Sequence, residues 1–471
     1  MKAALRGASK LGAWRLEHLF WYSRVAVSEQ YVITGGTMEA IAESVEAAVA
    51  AGALAPGDRL PSVRALASQL EVSPTTVFGA LAELRRRGVV VSRPRSGTRV
   101  ADRPPLRATR AVAAVPVDAR DLALGNPDPK LLPEMTGAVL ALAATGLVNP
   151  AAGATFSQRL YGEEPVEPSL AALAREAFVA DGVPAERIVV VSGALDGIER
   201  VLAAQLSPGD VVAVEDPGWP GVLDLARALG LRLAPVAVDD FGMKPEALAA
   251  ALRTGAKAAI VTPRGQNPFG AAHDKARAAE LRELLRDVFV VEDDHLGPVA
   301  GVQYRTVAGR SGRWAVVRSV SKWLGPDLRC AVMAGDQLTL ARVEGRLALG
   351  PAWVSGILQR LVVALWERAD ARGAADVYAA RRGALVGALG ARGLAAHGRS
   401  GLNVWVPVVD EDAVVRALLA ARYSVAGGGA FRLGAGPAVR VTTAALDVAE
   451  AVGVADAIAG AVNPPRRTRA A

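Results

Sequence analysis

The sequence predicts two folded parts: a small α+β unit of three helices and a hairpin, followed by a larger α/β part built on a mainly parallel sheet. Two observations support this prediction. Helical spacing and capping signals follow one another between residues 37 and 102. After residue 121, five short β-branched runs alternate with alanine-rich helical patterns. A chain of 471 residues also exceeds what one hydrophobic core usually serves.

The first predicted helix covers residues 37–49, where apolar side chains recur at helical spacing before the breaker-rich stretch GALAPGDRLP. Ser62 can cap a second helix over residues 63–70. After the short turn EVS, Ser73 precedes Pro74, which is the typical pairing of a cap with a first helical position. Three helices in this arrangement predict a helix-turn-helix.

The runs VVVSRP and TRVA flank the turn RSG and predict a two-stranded hairpin, so residues 37–102 are predicted to form a winged helix-turn-helix. Residues 85–103 hold seven arginines against one acid, Asp102. A charge run alone is usually a solvated face, whereas beside this pattern it indicates binding to double-stranded DNA. A small helical domain that binds protein is the alternative.

The composition excludes several classes of protein. A hydrophobic content of 51% with 21% charged residues is typical of a globular protein, yet no run reaches the roughly 18 uncharged apolar residues of a membrane span. Glu17 and Arg24 interrupt the apolar core that a secretion signal needs, so we expect a cytoplasmic protein. The lone Cys330 excludes an intramolecular disulfide, and four widely spaced histidines support no metal site.

Segments without a clear period flank and separate the two parts. Residues 1–36 are predicted to be a poorly defined extension, and Met38 is an alternative start. Residues 103–120 are rich in proline, alanine and arginine, which predicts a linker. The remaining predicted segments are 121–463 for the larger part, about 150–345 for its large subdomain, about 346–463 for a smaller α+β subdomain and 464–471 for a basic tail.

The five buried-looking runs of the larger part are RIVVVSG, DVVAVED, KAAIVTP, DVFVVEDD and RWAVVRSVS. Ligands of parallel sheets bind at the carboxyl ends of the strands, and each run ends in a chemically distinctive group. In chain order these groups are a small-residue turn suited to a phosphate, an aromatic ring, an amide, an acid and an amine with neighbouring polar side chains. The residues are Ser192, Gly193, Ala194, Trp219, Asn267, Asp293, Ser319, Ser321, Lys322 and Arg329.

Each of these groups alone has an ordinary structural explanation: a glycine can serve packing, a tryptophan is usually part of a core and an acid can cap a helix. Together they match the needs of pyridoxal phosphate. This cofactor requires a lysine for a Schiff base, a carboxylate for its ring nitrogen and cationic or hydroxyl donors for its phosphate. The order of the five groups therefore predicts pyridoxal phosphate as the cofactor.

The pieces LPSVRALA, VSPTTV, LRRRGVV and SRPRSGT resemble, in order and spacing, the DNA-binding domain of the GntR regulators. Pro74 and Phe78 depart from some members of that family, in which arginine can occupy these positions, so we expect unusual base recognition. The resemblance implies DNA contacts from the helix-turn-helix and the wing. The implied contact residues are Arg64, Ser73, Thr75, Thr76, Arg95, Ser96 and Gly97.

The larger part resembles the fold type I aminotransferases through YGEEP, VSGALDG, EDPGWP, TPRGQNPFG, VEDDH and SVSKWLGPDLR. The whole chain thus resembles the MocR-type subfamily of the GntR transcription regulators. The resemblance implies that Lys322 forms the Schiff base and that Asp293 meets the ring nitrogen. It also implies that Asn267 meets the phenolic oxygen and that Trp219 stacks on the ring. The implied phosphate ligands are Ser192, Gly193, Ala194, Ser319, Ser321, Arg329 and, from the partner subunit of a homodimer, Tyr161.

Two further positions follow from the resemblance. Arg440 is implied to bind a substrate or effector carboxylate in a pocket bordered by Asn126, with a surface ion pair as the alternative. His295 stands where many relatives have a tyrosine that contacts the phenolic oxygen. Because an imidazole N–H can also donate to that oxygen, we expect cofactor binding to persist even if transamination is altered.

These features predict a DNA-binding transcription regulator whose aminotransferase-like domain binds pyridoxal phosphate, or an amino compound joined to it, as effector. The alternative is an active aminotransferase with an appended DNA-binding domain, because Lys322, Asp293 and Arg440 are all present. A third hypothesis is a DNA-binding scaffold with a decayed cofactor site. The basic winged helix favours the regulator, since an enzyme of amino-acid conversion does not need it.

Overall fold

The computed structural model describes residues 33–93, 97–101, 104, 118–147, 159–309 and 312–462. The chain divides into two compact units, Met1–Val112 and Ala113–Ala471. The helices are α1 Met38–Ala50, α2 Val63–Leu70, α3 Pro74–Arg86, α4 Met135–Leu147, α5 Pro168–Ala180, α6 Ala194–Gln205, α7 Pro220–Ala228, α8 Pro245–Arg253, α9 Lys275–Leu284, α10 Gln337–Ala348, α11 Gly356–Trp366, α12 Ala371–Gly390, α13 Glu411–Ala420 and α14 Ala451–Val462. The strands are β1 Val90–Arg93, β2 Gly97–Val100, β3 Arg120–Asp121, β4 Val189–Val191, β5 Val211–Asp216, β6 Arg232–Asp239, β7 Gly242–Met243, β8 Ala256–Val261, β9 Phe289–Asp294, β10 Trp314–Ser319, β11 Ala331–Gly335, β12 Asn403–Pro407, β13 Tyr423–Ser424, β14 Ala426–Gly427 and β15 Ala438–Thr442.

The first unit has the predicted helix-turn-helix and hairpin. Thr37, Ser62 and Ser73 cap α1, α2 and α3, because each side-chain oxygen accepts a backbone N–H from three residues further on. Strands β1 and β2 pair antiparallel from Val90 opposite Val100. The apolar stripes of the three helices and one face of the hairpin form a shared core, which includes Ile41, Val45, Leu66, Val77, Leu81, Leu84 and Val90.

The second unit contains a sheet of eight described strands in the order β4, β11, β10, β9, β8, β5, β6 and β7. The neighbours from β10 to β6 are parallel, and the five predicted runs are all strands of this sheet, so the prediction of a mainly parallel sheet is confirmed. Strand β11 was not predicted. It lies antiparallel between β4 and β10, so β4 still points in the same direction as β10.

Helices cover both faces of this sheet, as expected for strands that are apolar on both sides. Helices α6, α7 and α10 pack on one face, whereas α5, α8, α9 and α11 pack on the other. A smaller sheet of β12, β15 and β14 packs with α12, α13 and α14 around a separate core, which is the predicted α+β subdomain. Among the described residues, no helix combines the length and apolar character needed to cross a membrane.

Close packing of α6 on the sheet yields a test of the fold. A Cβ atom added at Gly197 would lie 2.9 Å from Cγ1 of Val317 and 3.0 Å from Cγ2 of Val191. We therefore expect Gly197→Ala to lower the free energy of unfolding by about 1–3 kcal/mol, because the helix must move away from the strands. Urea unfolding of the whole protein measures this change.

Gly387→Ala is the matched control. Gly387 is also helical, in α12, but no heavy atom lies within 4 Å of a Cβ added there. This change should raise the free energy of unfolding by about 0.5–1 kcal/mol, since alanine loses less backbone entropy than glycine on entering a helix. Equal effects of the two substitutions would contradict the packing described for α6.

Candidate cofactor site and DNA-binding surface

The predicted cofactor residues of this chain gather at one edge of the large sheet. Because β4, β5, β8, β9 and β10 run in the same direction, their carboxyl ends meet at that edge. The loop at residues 123–126 reaches the same place, since Nζ of Lys322 donates to the carbonyl oxygen of Gly125 at 2.6 Å. Lys322 and the predicted border residue Asn126 are therefore close neighbours.

Lys322 follows β10 and is the amine of the site. Burial lowers its pKa below the ordinary value, and the nearby positive charge of Arg440 lowers the pKa further. A lowered pKa enlarges the fraction of neutral amine near neutral pH, and the neutral amine is the nucleophile. Just before it, the hydroxyl of Ser319 donates to that of Ser321 at 3.0 Å.

Asp293 is the buried acid of the site, only 2% exposed in β9. Its Oδ1 has no hydrogen-bond partner, and its Oδ2 lies 3.6 Å from Nδ1 of His295, which also lacks a hydrogen bond. The His295 ring stacks with Trp219 at 6.3 Å between ring centroids. Since buried polar atoms are normally bonded in proteins, the acid and the imidazole have spare capacity for a ligand.

The turn after β4 brings the start of α6 and the guanidinium of Arg329 together. Gly193 has a φ of 101°, and a Cβ atom added there would lie 2.7 Å from Nη2 of Arg329. Only glycine therefore allows the guanidinium to approach this turn, where Nη2 also donates to the carbonyl oxygen of Ser192 at 3.3 Å. Helix α6 begins at Ala194, and the amides of a first helical turn have no partner inside the helix.

Arg440 brings the smaller subdomain into the site. It lies in β15, and its Nη1 donates to Oδ1 of Asn267 at 3.1 Å, while its Nη2 donates to the carbonyl oxygen of Ala123. Burial lowers the pKa of Arg440 to about 10. Its Nε is buried without a hydrogen-bond partner. Arg440 is 6% exposed and these two partners are uncharged, which contradicts the alternative of a surface ion pair. A buried cation with an unused donor is suited to a carboxylate.

The donor set fits pyridoxal phosphate. The unpaired Oδ1 of Asp293 suits a protonated ring nitrogen, and the corner of Gly193 and Arg329 suits a phosphate. Lys322 supplies a primary amine at the same edge of the sheet. Among the described residues, no group of histidine, cysteine and acidic side chains is arranged to hold a metal ion.

Behind the site, on the opposite face of β9, Asp294 is the centre of an ion network that the sequence reading missed. Arg264 donates to its two oxygens at 2.8 Å each, and Nε of Arg318 donates to Oδ2 at 2.5 Å. Arg318 also reaches Asp181 at 2.6 Å. The Tyr304 ring lies beneath both guanidinium groups. The runs VEDDH, TPRGQNPFG and RWAVVRSVS contain Asp294, Arg264 and Arg318, but the pairing of these charges depends on strand order.

Glu215 is a second missed acid, placed where β5 ends. Its carboxyl group accepts hydrogen bonds from the backbone and hydroxyl of Thr262 and from the amide of Gln266. Burial raises the pKa of Glu215 to about 7, although these donors act in the opposite direction. Glu215 thus ties the end of β5 to the loop that carries Asn267.

In the first unit, the predicted DNA contacts lie on an exposed surface. Arg64 and Thr75 are exposed at the starts of α2 and α3. Ser73 uses its hydroxyl as a cap, accepting from the Thr76 amide at 3.1 Å, and also bonds to the Thr76 hydroxyl. Gly97 has a φ of 77° at the hairpin turn. The predicted wing residues Arg95 and Ser96 lie outside the described residues, and all of these DNA contacts remain predictions.

The arginine-rich segment 85–103 carries less unpaired positive charge than the number of its arginines suggests. Arg86 and Arg87 both bond to Glu83, and Arg87 also reaches Glu46 of α1 at 3.0 Å. The hydrogen bond from Arg86 is the largest of the effects that lower the pKa of Glu83. Counting charges only within residues 85–103 missed these acids, which lie earlier in the chain.

A DNA-binding helix-turn-helix and an aminotransferase-type site on one chain define a transcription regulator built on an aminotransferase fold. The model of the gntR family of bacterial regulatory proteins matches residues 37–100, and that of the class I and II aminotransferases matches residues 137–458. The vitamin B6 salvage pathway transcriptional repressor PtsJ of Salmonella typhimurium is 37% identical over 92% of this chain and 100% of its own length. The chain belongs to the MocR-type subfamily of GntR transcription regulators, as predicted.

Solved aminotransferases share the fold of the second unit. Kynurenine aminotransferase of Pyrococcus horikoshii has a TM-score of 0.65 and 21% identity, covering 74% of this chain and 91% of that one. The α-aminoadipate aminotransferase LysN of Thermus thermophilus has a TM-score of 0.63 and 22% identity, covering 74% and 93%. These similarities confirm the predicted fold type I architecture.

The ion network predicts a large effect of Asp294→Asn. This change leaves Arg264 and Arg318 buried without their shared carboxylate, so we expect the free energy of unfolding to fall by about 3–5 kcal/mol near neutral pH. Burial alone would raise the pKa of Asp294, but the two guanidinium groups lower it well below its ordinary value. The stabilisation is therefore present above the unfolded pKa of about 4 and is lost as the pH falls through the folded value.

Denaturant unfolding at several pH values measures this effect, with Asp293→Asn as the matched control. Asp293 is the adjacent buried acid, but its Oδ1 has no partner, so its neutralisation should change the stability of the cofactor-free protein little. The gap between wild type and Asp294→Asn should narrow below a pH of about 4. Equal stabilities of the two variants would refute the role given to the network.

Proposed function

We propose that this regulator binds pyridoxal phosphate at the strand ends of its second unit and that the bound compound changes how the regulator engages double-stranded DNA. The observation that carries the proposal is that the amine Lys322 and the buried acid Asp293, whose Oδ1 has no hydrogen-bond partner, lie at the carboxyl ends of the neighbouring strands β10 and β9. The relative PtsJ is named as a repressor of the vitamin B6 salvage pathway, which supports a vitamin B6 compound as the signal.

Pyridoxal phosphate, when bound, supplies an aldehyde that condenses reversibly with a primary amine. Lys322 offers that amine in a site whose burial and whose Arg440 charge favour the neutral form. The carboxylate of Asp293 would hold a proton on the ring nitrogen, Trp219 would stack on the ring, and an N–H of His295 would donate to the phenolic oxygen. Asn267 is placed by its contact with Arg440 to donate to the phenolic oxygen.

The phosphate is held at the corner between β4 and α6. The amides that begin α6 and the guanidinium of Arg329 lie at this corner. We assign the hydroxyls of Ser319 and Ser321 as further donors. We assign the final donor to Tyr161 of a second subunit in a homodimer. Within its own chain Tyr161 is 92% exposed and contacts the edge of Trp353.

Arg440 extends the proposal to amino compounds that carry a carboxylate. Its unused Nε and its contact with Asn267 place a cation beside the cofactor pocket, and Asn126 lies next to the Gly125 carbonyl that receives Lys322. The Gly125 carbonyl would accept the Lys322 amine whenever that amine is not joined to the cofactor.

Regulation requires that the ligand bind one arrangement of the regulator more tightly than another. A homodimer presents two helix-turn-helix units and so suits a DNA site with two half-sites. Such a regulator works in the cytoplasm, where the chromosome of a bacterium lies. The competing hypothesis of an aminotransferase with an added DNA-binding domain uses the same residues. Similarity to a transcriptional repressor over that protein's whole length favours the regulator.

Lys322→Ala should abolish the covalent attachment of the cofactor. After incubation with pyridoxal phosphate and borohydride reduction, wild-type protein should carry the reduced adduct on Lys322, and the variant should carry none, since it lacks the amine. Mass spectrometry of the protein and its visible absorption measure this loss. The effect of pyridoxal phosphate on DNA affinity should disappear in the same variant.

Lys275→Ala serves as the control because Lys275 is exposed at the start of α9. This variant should carry the same reduced cofactor adduct as wild type, and its DNA affinity should change with pyridoxal phosphate as in wild type. If Lys322→Ala kept the wild-type adduct and the wild-type DNA response, the assignment of this site would be wrong. Steady consumption of amino donors at enzyme-like rates would instead favour the aminotransferase.

Arg440→Met should weaken the binding of amino acids more than the binding of amines that lack a carboxylate. A hydrogen-bonded ion pair contributes about 1.5–3 kcal/mol, so we expect the apparent affinity for amino acids to fall by about tenfold or more. The corresponding decarboxylated amines should lose much less. Titrations of the cofactor absorption with matched amino acid and amine pairs make this comparison, and an equal loss for both members of a pair would contradict the role of Arg440.

A further inference from the structure

Phe78 is an exposed aromatic side chain on the second helix of the helix-turn-helix. It lies in α3 and is 58% exposed, whereas the neighbouring apolar residues Val77 and Leu81 are buried in the core of the unit. Nothing in the described packing of the unit uses this ring as core. The apolar surface of this ring would therefore be removed from water only when the unit binds a partner.

The surroundings of α3 leave the side that carries Phe78 open. One side of the helix faces the core through Val77 and Leu84. A second side faces α1, because a Cβ atom added at Gly79 would lie 2.8 Å from Sδ of Met38 and because Arg87 bonds to Glu46. Phe78 follows Thr75 by three residues, so both lie on the remaining surface.

The position of Phe78 in the motif indicates DNA as the partner. The N-terminal residues of the second helix in a helix-turn-helix contact base edges in the major groove. Phe78 belongs to this part of α3, whose first turn is held by the Ser73 cap. The inference depends on DNA binding by the first unit and is independent of the cofactor proposal.

The chemistry of the ring selects one kind of base edge. A phenylalanine ring has no hydrogen-bond donor or acceptor for the polar groups of guanine, cytosine or adenine. The major-groove group that it can cover favourably is the C5 methyl of thymine. We propose that Phe78 recognises a thymine methyl and determines part of the sequence specificity of this regulator.

Arg85 has a complementary role on the same surface. Its guanidinium carbon lies 5.6 Å from the centroid of the Phe78 ring, and its Nε donates to the carbonyl oxygen of Leu81 at 3.2 Å. The cation therefore holds one face of the ring and keeps other donors for a DNA phosphate. Phosphate contacts strengthen binding at every sequence, whereas the methyl contact acts at one base.

The test uses the full-length protein and a binding site selected by it from random double-stranded DNA. The thymines of that site are replaced by deoxyuridine one at a time, and each replacement removes only the methyl group. For wild type we expect about a fourfold loss of affinity at one thymine in a half-site, the effect of one buried methyl-sized group. Phe78→Ala should abolish this loss, and Phe78→Leu should retain most of it.

Arg85→Ala is the matched control. It should weaken binding to all sites and reduce the salt dependence by about one unit of slope, while the deoxyuridine penalty persists. Thermal unfolding checks that Phe78→Ala is folded, which we expect because the ring is exposed. Normal labelling of Lys322 in that variant separates this result from any failure of the cofactor proposal.

Two outcomes would overturn the proposal. One is a wild-type protein that tolerates deoxyuridine at every thymine of its selected site. The other is a Phe78→Ala variant that keeps the wild-type penalty. A Phe78→Ala variant with unchanged DNA recognition but an altered oligomeric state would show that the ring packs on protein instead.

Discussion

The cofactor edge of the second unit depends on one buried carboxylate, Asp294. It binds Arg264, from the loop that leads to Asn267, and Arg318, which lies four residues before Lys322. Three neighbouring strand ends are thereby held by one group. Side chains alternate along a strand, so Asp294 points behind the sheet while its neighbour Asp293 points to the ligand face. A buried ion network of this kind tolerates no missing partner, because each lost charge leaves another uncompensated.

The two faces of this edge differ in how well their polar groups are satisfied. Behind the sheet, Asp294 and Glu292 have their oxygens bonded to arginine, tyrosine, threonine or backbone donors. On the ligand face, Asp293, His295 and Arg440 each keep a buried atom without a partner. The scaffold thus supplies rigidity where bonds are complete, and the site keeps binding capacity where they are not. Low polarity around Lys322 and Arg440 lowers the pKa of both cations.

Local structure followed closely from local sequence. The caps at Ser62 and Ser73 start helices at the predicted residues, because a side-chain cap and a following proline act within a few residues of the chain. The five runs became strands, because apolar character on both faces is a local property. The convergence of the predicted cofactor residues at one edge followed from the same rule, since the carboxyl ends of parallel strands meet there whatever the order of the strands. Strand β11 was missed, because its short run AVMAG gave no signal of an antiparallel insertion between β4 and β10.

The sequence by itself determined the two units, the helix starts of the DNA-binding motif and the set of chemical groups offered to a cofactor, because capping, periodicity and strand ends are short-range features. Tertiary structure alone decided which groups meet. It paired Asp294 with two arginines about thirty and twenty-four residues away, placed Arg440 beside Asn267, and turned Arg87 toward Glu46 of another helix. These contacts depend on strand order and on packing between elements far apart in the chain, and no local pattern specifies either.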